Sequence, residues 1–330
     1  MKVLVTGATG FVGGHILERL LTAGLPVVAM VRTAEQAQAL RSHHPRVETR
    51  LGTLDSADEL VRIMEGISHV VHAAGATKAI GSAGFYRVNQ IGTRHLLEAV
   101  NQSVGQVQRL IHISSLAAVG PASAAHPARE HDEPKPVSHY GRSKLAGELE
   151  VRTACRCEFV ILRPPGVYGP RDVEFLKLFK AIRSHIRPLF GGGRQELSLV
   201  YVSDLAAVVA SALTHPAAAG QTYHVAAAET VTTGALAREV ARLVGTWTIP
   251  LRLPTPAFWP VCLGADLVSR FTGRASVLSV QKYAELRAPG WVCACDKLER
   301  ELGLICPTQL ADGLAQTLRW YREAGWLARS

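Results

Sequence analysis

Three residues suited to proton transfer lie in two short segments: Ser115 follows an apolar run, and Tyr140 and Lys144 begin a helical one. Tyr140 and Lys144 are four residues apart, so on a helix they lie on one face, one turn apart. An unperturbed tyrosine has a pKa of about 10, so its phenolate needs a neighbouring charge or hydrogen bond at neutral pH. The pattern predicts a proton-transfer site, although this spacing is also common in solvated helix pairs.

A glycine turn near the start of the chain predicts a second site. Gly7, Gly10 and Gly13 follow a β-rich run at 2–6 and open a helical run. Glycine is needed where φ is positive and where the backbone approaches a pyrophosphate closely. The helix that follows offers unpaired N–H groups and the positive end of its dipole. After the first strand of a βαβ unit, this spacing predicts dinucleotide binding.

The residue that ends the second strand bears on the choice of nicotinamide cofactor. An acid there would bind the adenosine ribose hydroxyls and repel a 2′-phosphate. Arg32 stands there instead, and a guanidinium pairs well with a phosphate. The sequence favours NADP(H) and leaves NAD open. The alternative interpretation is a solvated arginine after a strand.

Strands and helices alternate through the first half of the chain. Nearly continuous apolar runs predict strands at 2–6, 27–31, 47–51, 69–74, 109–114 and 159–163, and helical spacing predicts helices at 11–24, 34–41, 56–65, 84–102 and 138–155. This alternation predicts an α/β fold, a doubly wound parallel sheet of the Rossmann type. Its ligand crevice lies at the carboxyl ends of the strands, where Ser115 and Tyr140 are expected to converge.

The alternation loosens after Pro164. Helices are predicted at 173–184, 203–214, 233–244, 257–271, 296–302 and 309–324, with short strands near 222–225 and 291–293 and irregular connections around GVYGPRD and Pro250. We expect residues 1–165 to form the NAD(P)-binding core, to which a strand and a helix from about 195–228 return. Residues 166–330 are expected to form mainly a smaller substrate-binding lobe. The predicted helix at 257–271 has an apolar face, which suits the core of the lobe, a lid over an apolar substrate, or a peripheral membrane contact.

Composition excludes several classes of protein. Hydrophobic residues make up 48% and charged residues 19%, as in a globular chain rather than a disordered one. The net charge is +9, but lysines and arginines are scattered and not interleaved with aromatics, so no nucleic-acid partner is predicted. No uninterrupted apolar run suits a membrane span, and no leader pattern opens the chain, so a cytoplasmic protein is expected. Histidines and cysteines lack ligand spacing, so no metal is predicted.

Several motifs in order resemble one family: TGATGFVGGH, VVHAAG, VNQIGTRHLLEAV, IHISSLAAVG, EPKPVSHYGRSK and LRPPGVYGP. Together they resemble the extended short-chain dehydrogenase/reductase family, which includes the NAD-dependent epimerase/dehydratases. The resemblance covers the first 170 residues and continues more weakly to a C-terminal helix. The region that contains the predicted helix at 257–271 resembles the 3β-hydroxysteroid dehydrogenase-like branch, whose substrates are bulky and apolar.

The resemblance implies a role for each matching residue. Ser115 would hydrogen-bond the substrate oxygen, Tyr140 would be the acid/base, and Lys144 would hold the nicotinamide ribose and lower the Tyr140 pKa. Asn89 would support helix geometry or a water relay near the active site. The implied cofactor-binding residues, besides Tyr140 and Lys144, are Gly7, Thr9, Gly10, Phe11, Val12, Gly13, Arg32, Leu54, Ala73, Ala74, Pro164 and Val167. A homodimer through the helices that carry Asn89 and Tyr140 is also implied.

Two departures from the family narrow the expected activity. Leu116 and Ala117 stand where sugar-nucleotide 4,6-dehydratases carry an Asp-Glu pair, so the acid for elimination is missing. Residues 196–201 lack the Arg-Asp-aromatic triplet typical of nucleotide-sugar enzymes. The implied function is an NADP(H)-dependent oxidoreductase that moves hydride between nicotinamide and a secondary alcohol or ketone of an apolar, sterol-like or acyl substrate. The alternatives are a nucleotide-sugar epimerase with retained NAD and a non-catalytic nicotinamide-binding regulatory protein.

Overall fold

The computed structural model describes residues 1–103, 105–253 and 280–328, together with 259–260 and 263–264. The helix predicted at 257–271 lies outside the described residues apart from those four. The strands are β1 (Val3–Thr6), β2 (Val27–Val31), β3 (Glu48–Leu51), β4 (His69–His72), β5 (Arg109–Ile113), β6 (Glu158–Arg163), β7 (Gly166–Tyr168), β8 (Ile186–Phe190), β9 (Glu196–Tyr201), β10 (Thr222–His224), β11 (Thr230–Thr232), β12 (Ile249–Leu253) and β13 (Gly290–Trp291). The helices are α1 (Phe11–Thr22), α2 (Ala34–His43), α3 (Ala57–Ile63), α4 (Ala83–Tyr86), α5 (Gly92–Gln102), α6 (His139–Ala154), α7 (Val173–Arg183), α8 (Val202–Ala212), α9 (Thr233–Val244), α10 (Val280–Leu286), α11 (Asp296–Leu302) and α12 (Leu310–Glu323).

Seven parallel strands form the main sheet, in the order β10-β6-β5-β4-β1-β2-β3. Every residue of β1, β2, β4 and β5 is buried, as expected for strands covered on both faces. Apolar side chains of α1 and α8 cover one face, and those of α3, α5 and α6 cover the other. The predicted doubly wound α/β fold is confirmed.

A smaller unit is built on β9, which pairs with β7, β11 and β13. Its core contains Phe179 of α7, Leu236 of α9 and Tyr321 of α12. After β9 the chain returns to the main sheet, where α8 packs beside α1 and β10 pairs with β6. Strand β9 belongs to the smaller unit, although it lies at the start of the segment, about 195–228, that was expected to return to the NAD(P)-binding core.

Two segments predicted to be irregular connections form strands, so that prediction was wrong for β7 and β12. Strand β12 contains Pro250 and pairs with β8, which contains Pro188, in a two-stranded parallel sheet. Proline lacks the backbone N–H of a central strand but is tolerated on an edge, and both strands of this pair are edges. The prolines concealed the strands from sequence reasoning.

The helix predicted at 84–102 is interrupted at Asn89. A π-helical turn at Arg87–Ile91 separates α4 from α5 and inserts one extra residue into the helical repeat. The π turn packs closely on α6, because a Cβ on Gly147 would lie 2.4 Å from the Asn89 carbonyl oxygen. The extra residue changes the direction of the Asn89 side chain relative to its helical neighbours.

Candidate active site

The glycine turn lies at the carboxyl end of β1 and opens α1. Gly7 has a φ of +73°, and a Cβ placed on it would come within 2.7 Å of the Ala74 backbone nitrogen. A Cβ on Gly13 would lie 2.1 Å from the Gly7 carbonyl oxygen. Gly10 is the N-cap of α1 and has no side chain to bind the first amides of the helix. The turn therefore presents backbone N–H groups of the kind that bind a pyrophosphate.

A cavity of about 720 Å³ opens at the carboxyl ends of β1 to β4 and has the placement of a dinucleotide site. Its lining includes these cofactor-binding residues predicted from the sequence: Gly7, Thr9, Gly10, Arg32, Leu54, Ala73 and Ala74. Phe11, Val12 and Gly13 lie in the first turn of α1, where Phe11 contacts the His15 ring and Val12 packs against the core. The cavity residues missed by sequence reasoning include Gln36, Asp55, Lys78 and Arg87. The position of Lys78, soon after β4, was the available signal.

Arg32 stands at the mouth of this cavity, directly after β2. Its side chain is exposed, and no carboxylate among the described residues lies within ion-pair distance of it. The Arg32 backbone N–H donates to the Gln36 side chain at 3.0 Å, and Thr33 caps α2. An arginine in this setting is open to an external anion such as a phosphate.

Leu54 is one of the cofactor-binding residues that the resemblance implies. The Leu54 carbonyl accepts a hydrogen bond from His95 Nδ1 at 2.8 Å, so this carbonyl is already engaged. The neighbouring Thr53 hydroxyl donates to Glu59 at 3.1 Å. Leu54 still lines the cavity, and it offers an apolar side chain rather than a carboxylate to the adenine.

Ser115 and Tyr140 meet at the carboxyl end of β5. Ser115 follows the strand, and Tyr140 lies in the first turn of α6, which begins where Ser138 accepts the Gly141 N–H at 3.1 Å. The side chains of Ser115 and Tyr140 line the same cavity wall. Burial raises the pKa of Tyr140, the Ser115 hydroxyl lowers it, and the charge of Glu285 raises it further. The phenol is therefore protonated at neutral pH and suited to donate a proton.

Lys144 lies one turn beyond Tyr140 on α6 and is buried. Its Nζ donates to the Ile113 carbonyl at 2.7 Å, and burial lowers its pKa to about 8 against the opposing effect of Glu148. The expected lowering of the Tyr140 pKa by Lys144 stays a prediction. Ser115 is the group that lowers this pKa in the structure, and the Lys144 ammonium is directed to the β5 backbone.

Asn89 holds the loop after β4 against α6. Its Oδ1 accepts the Ala76 N–H at 2.8 Å, and its Nδ2 donates to the Ala76 carbonyl at 3.0 Å and to Ser143 Oγ at 2.9 Å. All polar atoms of this amide are thereby engaged with the protein. The geometry fits a positioning residue, the first of the two roles expected for Asn89.

A buried hydrogen-bond chain connects the glycine turn to the Asn89 segment. Thr93 donates to the Asn89 carbonyl, so its oxygen accepts from His72 Nε2 at 3.0 Å, and His72 Nδ1 accepts from the Thr6 hydroxyl at 2.8 Å. Burial lowers the pKa of His72 to about 3, and the Lys144 charge acts in the same direction. The imidazole is therefore neutral, and its tautomer is fixed by its neighbours.

A buried ion pair fixes α6 to the sheet behind Lys144. The Glu148 carboxylate accepts from Arg163 Nε at 2.9 Å and Nη2 at 2.6 Å, and from Ser114 Oγ at 2.5 Å. Both charged side chains are almost completely buried, so removing one partner would leave the other unpaired in a low dielectric. Ser114 thus serves the scaffold, while its neighbour Ser115 faces the site.

Pro164 and Val167 were expected beside the nicotinamide. Pro164 is buried, and its carbonyl accepts the Leu116 N–H at 2.8 Å, while Val167 packs against the main core. Their neighbours Pro165 and Gly166 line a second cavity. The segment 164–167 therefore contributes Pro165 and Gly166 to the cavity wall, rather than the two residues that were expected there.

The second cavity has a volume of about 580 Å³ and includes Ser115 and Tyr140 in its wall. Most of the remaining wall is apolar and comes from α7, β9, α9, α10 and β13; it includes Phe175, Leu178, Leu197, Leu199, Leu236, Leu286 and Trp291. The charged residues among its described lining are Glu174 and Glu285, and none is lysine or arginine. Glu174 pairs with Lys78, which lines the first cavity, so this ion pair joins the two cavities. Such a cavity suits an apolar ligand without a negative charge.

The described residues contain neither a candidate metal site nor a candidate membrane span. No group of three or more histidine, cysteine, aspartate or glutamate side chains is placed to hold a metal ion. None of the helices described combines the length and the apolar character that a bilayer crossing requires.

Comparison with known proteins places the chain in a family. The model of the NAD dependent epimerase/dehydratase family matches residues 3–226. The chain belongs to this family. The resemblance inferred from the motifs is thereby confirmed, and the protein is an NAD(P)-dependent enzyme of the extended short-chain dehydrogenase/reductase type.

Members of the family with several activities are similar to this chain. A ceramide reductase of Caulobacter vibrioides is 31% identical over 99% of this chain and 96% of its own length. A 3 beta-hydroxysteroid dehydrogenase/Delta 5→4-isomerase of Mycobacterium tuberculosis is 30% identical over 97% of this chain and 90% of its own length. Among solved structures, a UDP-glucuronic acid 4-epimerase of Bacillus cereus in complex with UDP-glucuronic acid and NAD is similar with a TM-score of 0.78, at 23% identity over 98% of this chain and 100% of the other. The structural likeness establishes the shared fold.

Proposed function

We propose that the protein is an NADP(H)-dependent oxidoreductase that interconverts a secondary alcohol and a ketone on an apolar substrate. The observation that carries this proposal is the position of Ser115 and Tyr140. Their side chains share the wall of an apolar cavity, close to the cavity that fits a dinucleotide. A proton donor, a second hydroxyl and an apolar binding space together suit carbonyl reduction.

Each residue of the site has a separate role in the proposed reaction. A bound nicotinamide supplies the exchange of hydride. Tyr140 donates its proton to the substrate oxygen during reduction and takes it back during oxidation, and Ser115 hydrogen-bonds the same oxygen. Lys144 holds the nicotinamide ribose, while Asn89 positions the loop after β4 against α6.

The preference for NADP(H) rests on Arg32. Its guanidinium lies at the mouth of the dinucleotide cavity, exposed, at the end of β2 where an acid would repel a 2′-phosphate. A bidentate pair with the phosphate would favour NADP(H).

The apolar cavity also distinguishes the candidate substrates. The relatives named above include a ceramide reductase and a 3 beta-hydroxysteroid dehydrogenase, and both named substrates are largely hydrocarbon. A nucleotide-sugar epimerase is the second candidate, since similar solved structures bind UDP-sugars. A diphosphate is ordinarily bound by arginine or lysine, and the described lining of the cavity contains neither. We therefore favour the lipid-like ketone or alcohol over the nucleotide sugar.

The two parts of the chain are assigned separate tasks in this proposal. Residues 1–165 bind the cofactor, with the return through α8 and β10, and residues 166–330 mainly bind the substrate. The functional unit is proposed to be a homodimer through the helices that carry Asn89 and Tyr140. On these helices Ile91 is 40% exposed and Leu149 is 53% exposed, which gives the interface apolar residues to bury.

The test of the proposal is the variant Tyr140→Phe. We expect turnover of long-chain ketones with NADPH to fall by a factor of about a thousand or more, because the proton donor is lost. The dissociation constant for NADPH should change by less than about twofold, because the phenol is not an anchor of the cofactor phosphates. Stopped-flow absorbance follows the chemistry, and fluorescence titration measures cofactor binding. Unchanged turnover would remove Tyr140 from the mechanism, while a tightly retained NAD with no net consumption of NADPH would favour the epimerase.

A further inference from the structure

Two cysteines lie in the short connection between α6 and β6. Cys155 directly follows α6 and Cys157 directly precedes β6, with the exposed Arg156 between them. Their sulfur atoms are 3.6 Å apart, and the Cys155 thiol donates to the Cys157 carbonyl at 3.5 Å. Both cysteines are free thiols and half-buried. The connection therefore presents two neighbouring thiols that are partly exposed to solvent.

The backbone that carries these thiols is held by Asn101 of α5. The Asn101 Nδ2 donates to the Ala154 carbonyl at 2.7 Å, and its Oδ1 accepts the Arg156 N–H at 3.0 Å. Because the chain is held on both sides of Cys155, the fold itself keeps the two sulfurs close. A disulfide bond needs them about 1.5 Å closer, and rotation of the two side chains can supply that approach.

The contact between the two sulfurs makes them chemically unequal. A hydrogen bond from the Cys157 thiol stabilises the Cys155 thiolate and lowers the pKa of Cys155, although burial acts in the opposite direction. The same contact raises the pKa of Cys157, which burial raises further, so Cys157 stays a thiol. A thiolate is the form that attacks a peroxide, and a neighbouring cysteine can then resolve the product. The geometry thus assigns the attacking role to Cys155 and the resolving role to Cys157.

The second Cys-x-Cys pair of the chain lacks this arrangement. Cys293 is buried, its backbone N–H donates to Ser198 Oγ at 3.2 Å, and burial raises the pKa of its thiol. Burial also raises the pKa of Cys295. In the described part of the chain, the sulfurs of Cys293 and Cys295 make no hydrogen-bond contact with each other. The same spacing therefore provides an internal control for the first pair.

We propose that Cys155 and Cys157 form a peroxide-sensitive dithiol site that converts reversibly into an intramolecular disulfide. The Cys155 thiolate attacks one oxygen of hydrogen peroxide, so that an S–O bond forms, the O–O bond breaks and hydroxide leaves. The Cys157 sulfur then attacks the Cys155 sulfur, gives up its proton and displaces the second hydroxide. Two thiols are oxidised by two electrons in total, and one peroxide is reduced to two waters.

The dithiol site is separate from the two cavities. It lies at the amino edge of the main sheet, where β6 begins, whereas Ser115 and Tyr140 lie at the carboxyl edge. The inference therefore goes beyond the proposed oxidoreductase function and does not depend on it. Its test needs no turnover, so failure of one proposal leaves the other standing.

Peptide mapping of the full-length protein tests the site. The reduced protein is treated with hydrogen peroxide at neutral pH, its remaining thiols are alkylated during denaturation, and trypsin is added. Cleavage after Arg156 separates the two cysteines, so the disulfide is identified as peptide 153–156 linked to peptide 157–171. We expect this linked product to form about tenfold faster than any oxidation of peptide 288–297, which carries the control pair, and to disappear with dithiothreitol. Absence of the linked product, or equal oxidation of both pairs, would overturn the proposal.

Two conservative variants test the separate roles of the sulfurs. Cys157→Ser keeps a hydroxyl that can donate to Cys155 but removes the resolving sulfur, so a sulfenic acid should accumulate at residue 155 and be trapped by dimedone. Cys155→Ser removes the attacking thiolate, and oxidation of Cys157 should slow about tenfold or more. Circular dichroism shows whether each variant is folded, and the wild-type mapping decides the proposal if one is not. A dimedone adduct at residue 157 in Cys155→Ser, formed as fast as the disulfide of the wild type, would contradict these roles.

Discussion

The two cavities joined by the Lys78–Glu174 ion pair are built on different principles. The dinucleotide cavity is shaped largely by backbone at the ends of parallel strands, with Gly7 and Gly10 in its wall. The substrate cavity is shaped largely by side chains from elements that lie far apart in the sequence, from Thr77 to Trp291. A backbone site suits a constant ligand, because few substitutions can change its shape. A side-chain site can be altered residue by residue, which suits a family with many substrates.

The largest expected effect tests the backbone character of the first cavity. Gly13→Ala places a Cβ 2.1 Å from the Gly7 carbonyl oxygen, where only backbone movement can relieve the overlap. We expect a loss of about 3 kcal/mol in the free energy of unfolding, with NADPH binding strongly weakened. Urea denaturation and fluorescence titration measure the two effects.

Gly14→Ala is the matched control for that substitution. The next residue of α1 would place its Cβ 3.4 Å from the Ala8 carbonyl oxygen, which is ordinary contact. Alanine is a better helix former than glycine by roughly 1 kcal/mol, so the stability should hold or increase. Equal effects of the two variants would show that close packing does not shape the cavity.

An intermediate effect tests the polar rim of the first cavity. Arg32→Ala should weaken NADPH binding by about 2 kcal/mol, roughly 30-fold, and leave NADH binding unchanged, because only NADPH carries the 2′-phosphate. Calorimetric titration with both dinucleotides measures this. Arg46→Ala removes the same charge from an exposed loop and should change neither affinity. Equal loss for NADPH and NADH in Arg32→Ala would argue against the phosphate contact.

The smallest effect belongs to the side-chain wall of the second cavity. Leu178→Ala removes apolar surface beside the substrate, and we expect the KM of a long-chain ketone to rise about fivefold, equivalent to about 1 kcal/mol. NADPH affinity should stay constant, since Leu178 lines only the substrate side among the two cavities described. Steady-state kinetics provides the measurement, with the exposed Ile305→Ala as the control. A parallel loss of NADPH affinity would mean that the two cavities are not separate.

Sequence reasoning anticipated the local geometry of residues that are near one another in the chain. The glycine turn occupies seven consecutive residues, and Tyr140 with Lys144 occupies one turn of helix, so local spacing fixes their relation. The parallel sheet followed from the continuous apolar strands for the same reason. These features need only the periodicity of one element at a time.

The residues that were missed act together only through the tertiary fold. Gln195 and Glu285 are remote in the sequence, and nothing in their surroundings indicates that they share a cavity. Glu148 and Arg163 were not singled out, because their ion pair depends on the packing of α6 on β6. The direction of Lys144 was also beyond reach, because its hydrogen bond to Ile113 depends on how helix and strand meet. Long-range packing decides each of these, and a single sequence does not encode it in a short pattern.

The π-helical turn at Arg87–Ile91 makes this stretch sensitive to the count of residues rather than to their kind. Each residue of an α-helix advances the rotation by about 100°, so deleting one residue here would restore regular winding and swing the Asn89 amide away from Ala76 and Ser143. Deleting a single residue of this turn would therefore separate the loop after β4 from α6, even if the deleted residue makes none of the contacts described. When this chain is aligned with a protein that lacks the extra residue, an alignment without a gap in this turn will pair the wrong residue with Asn89.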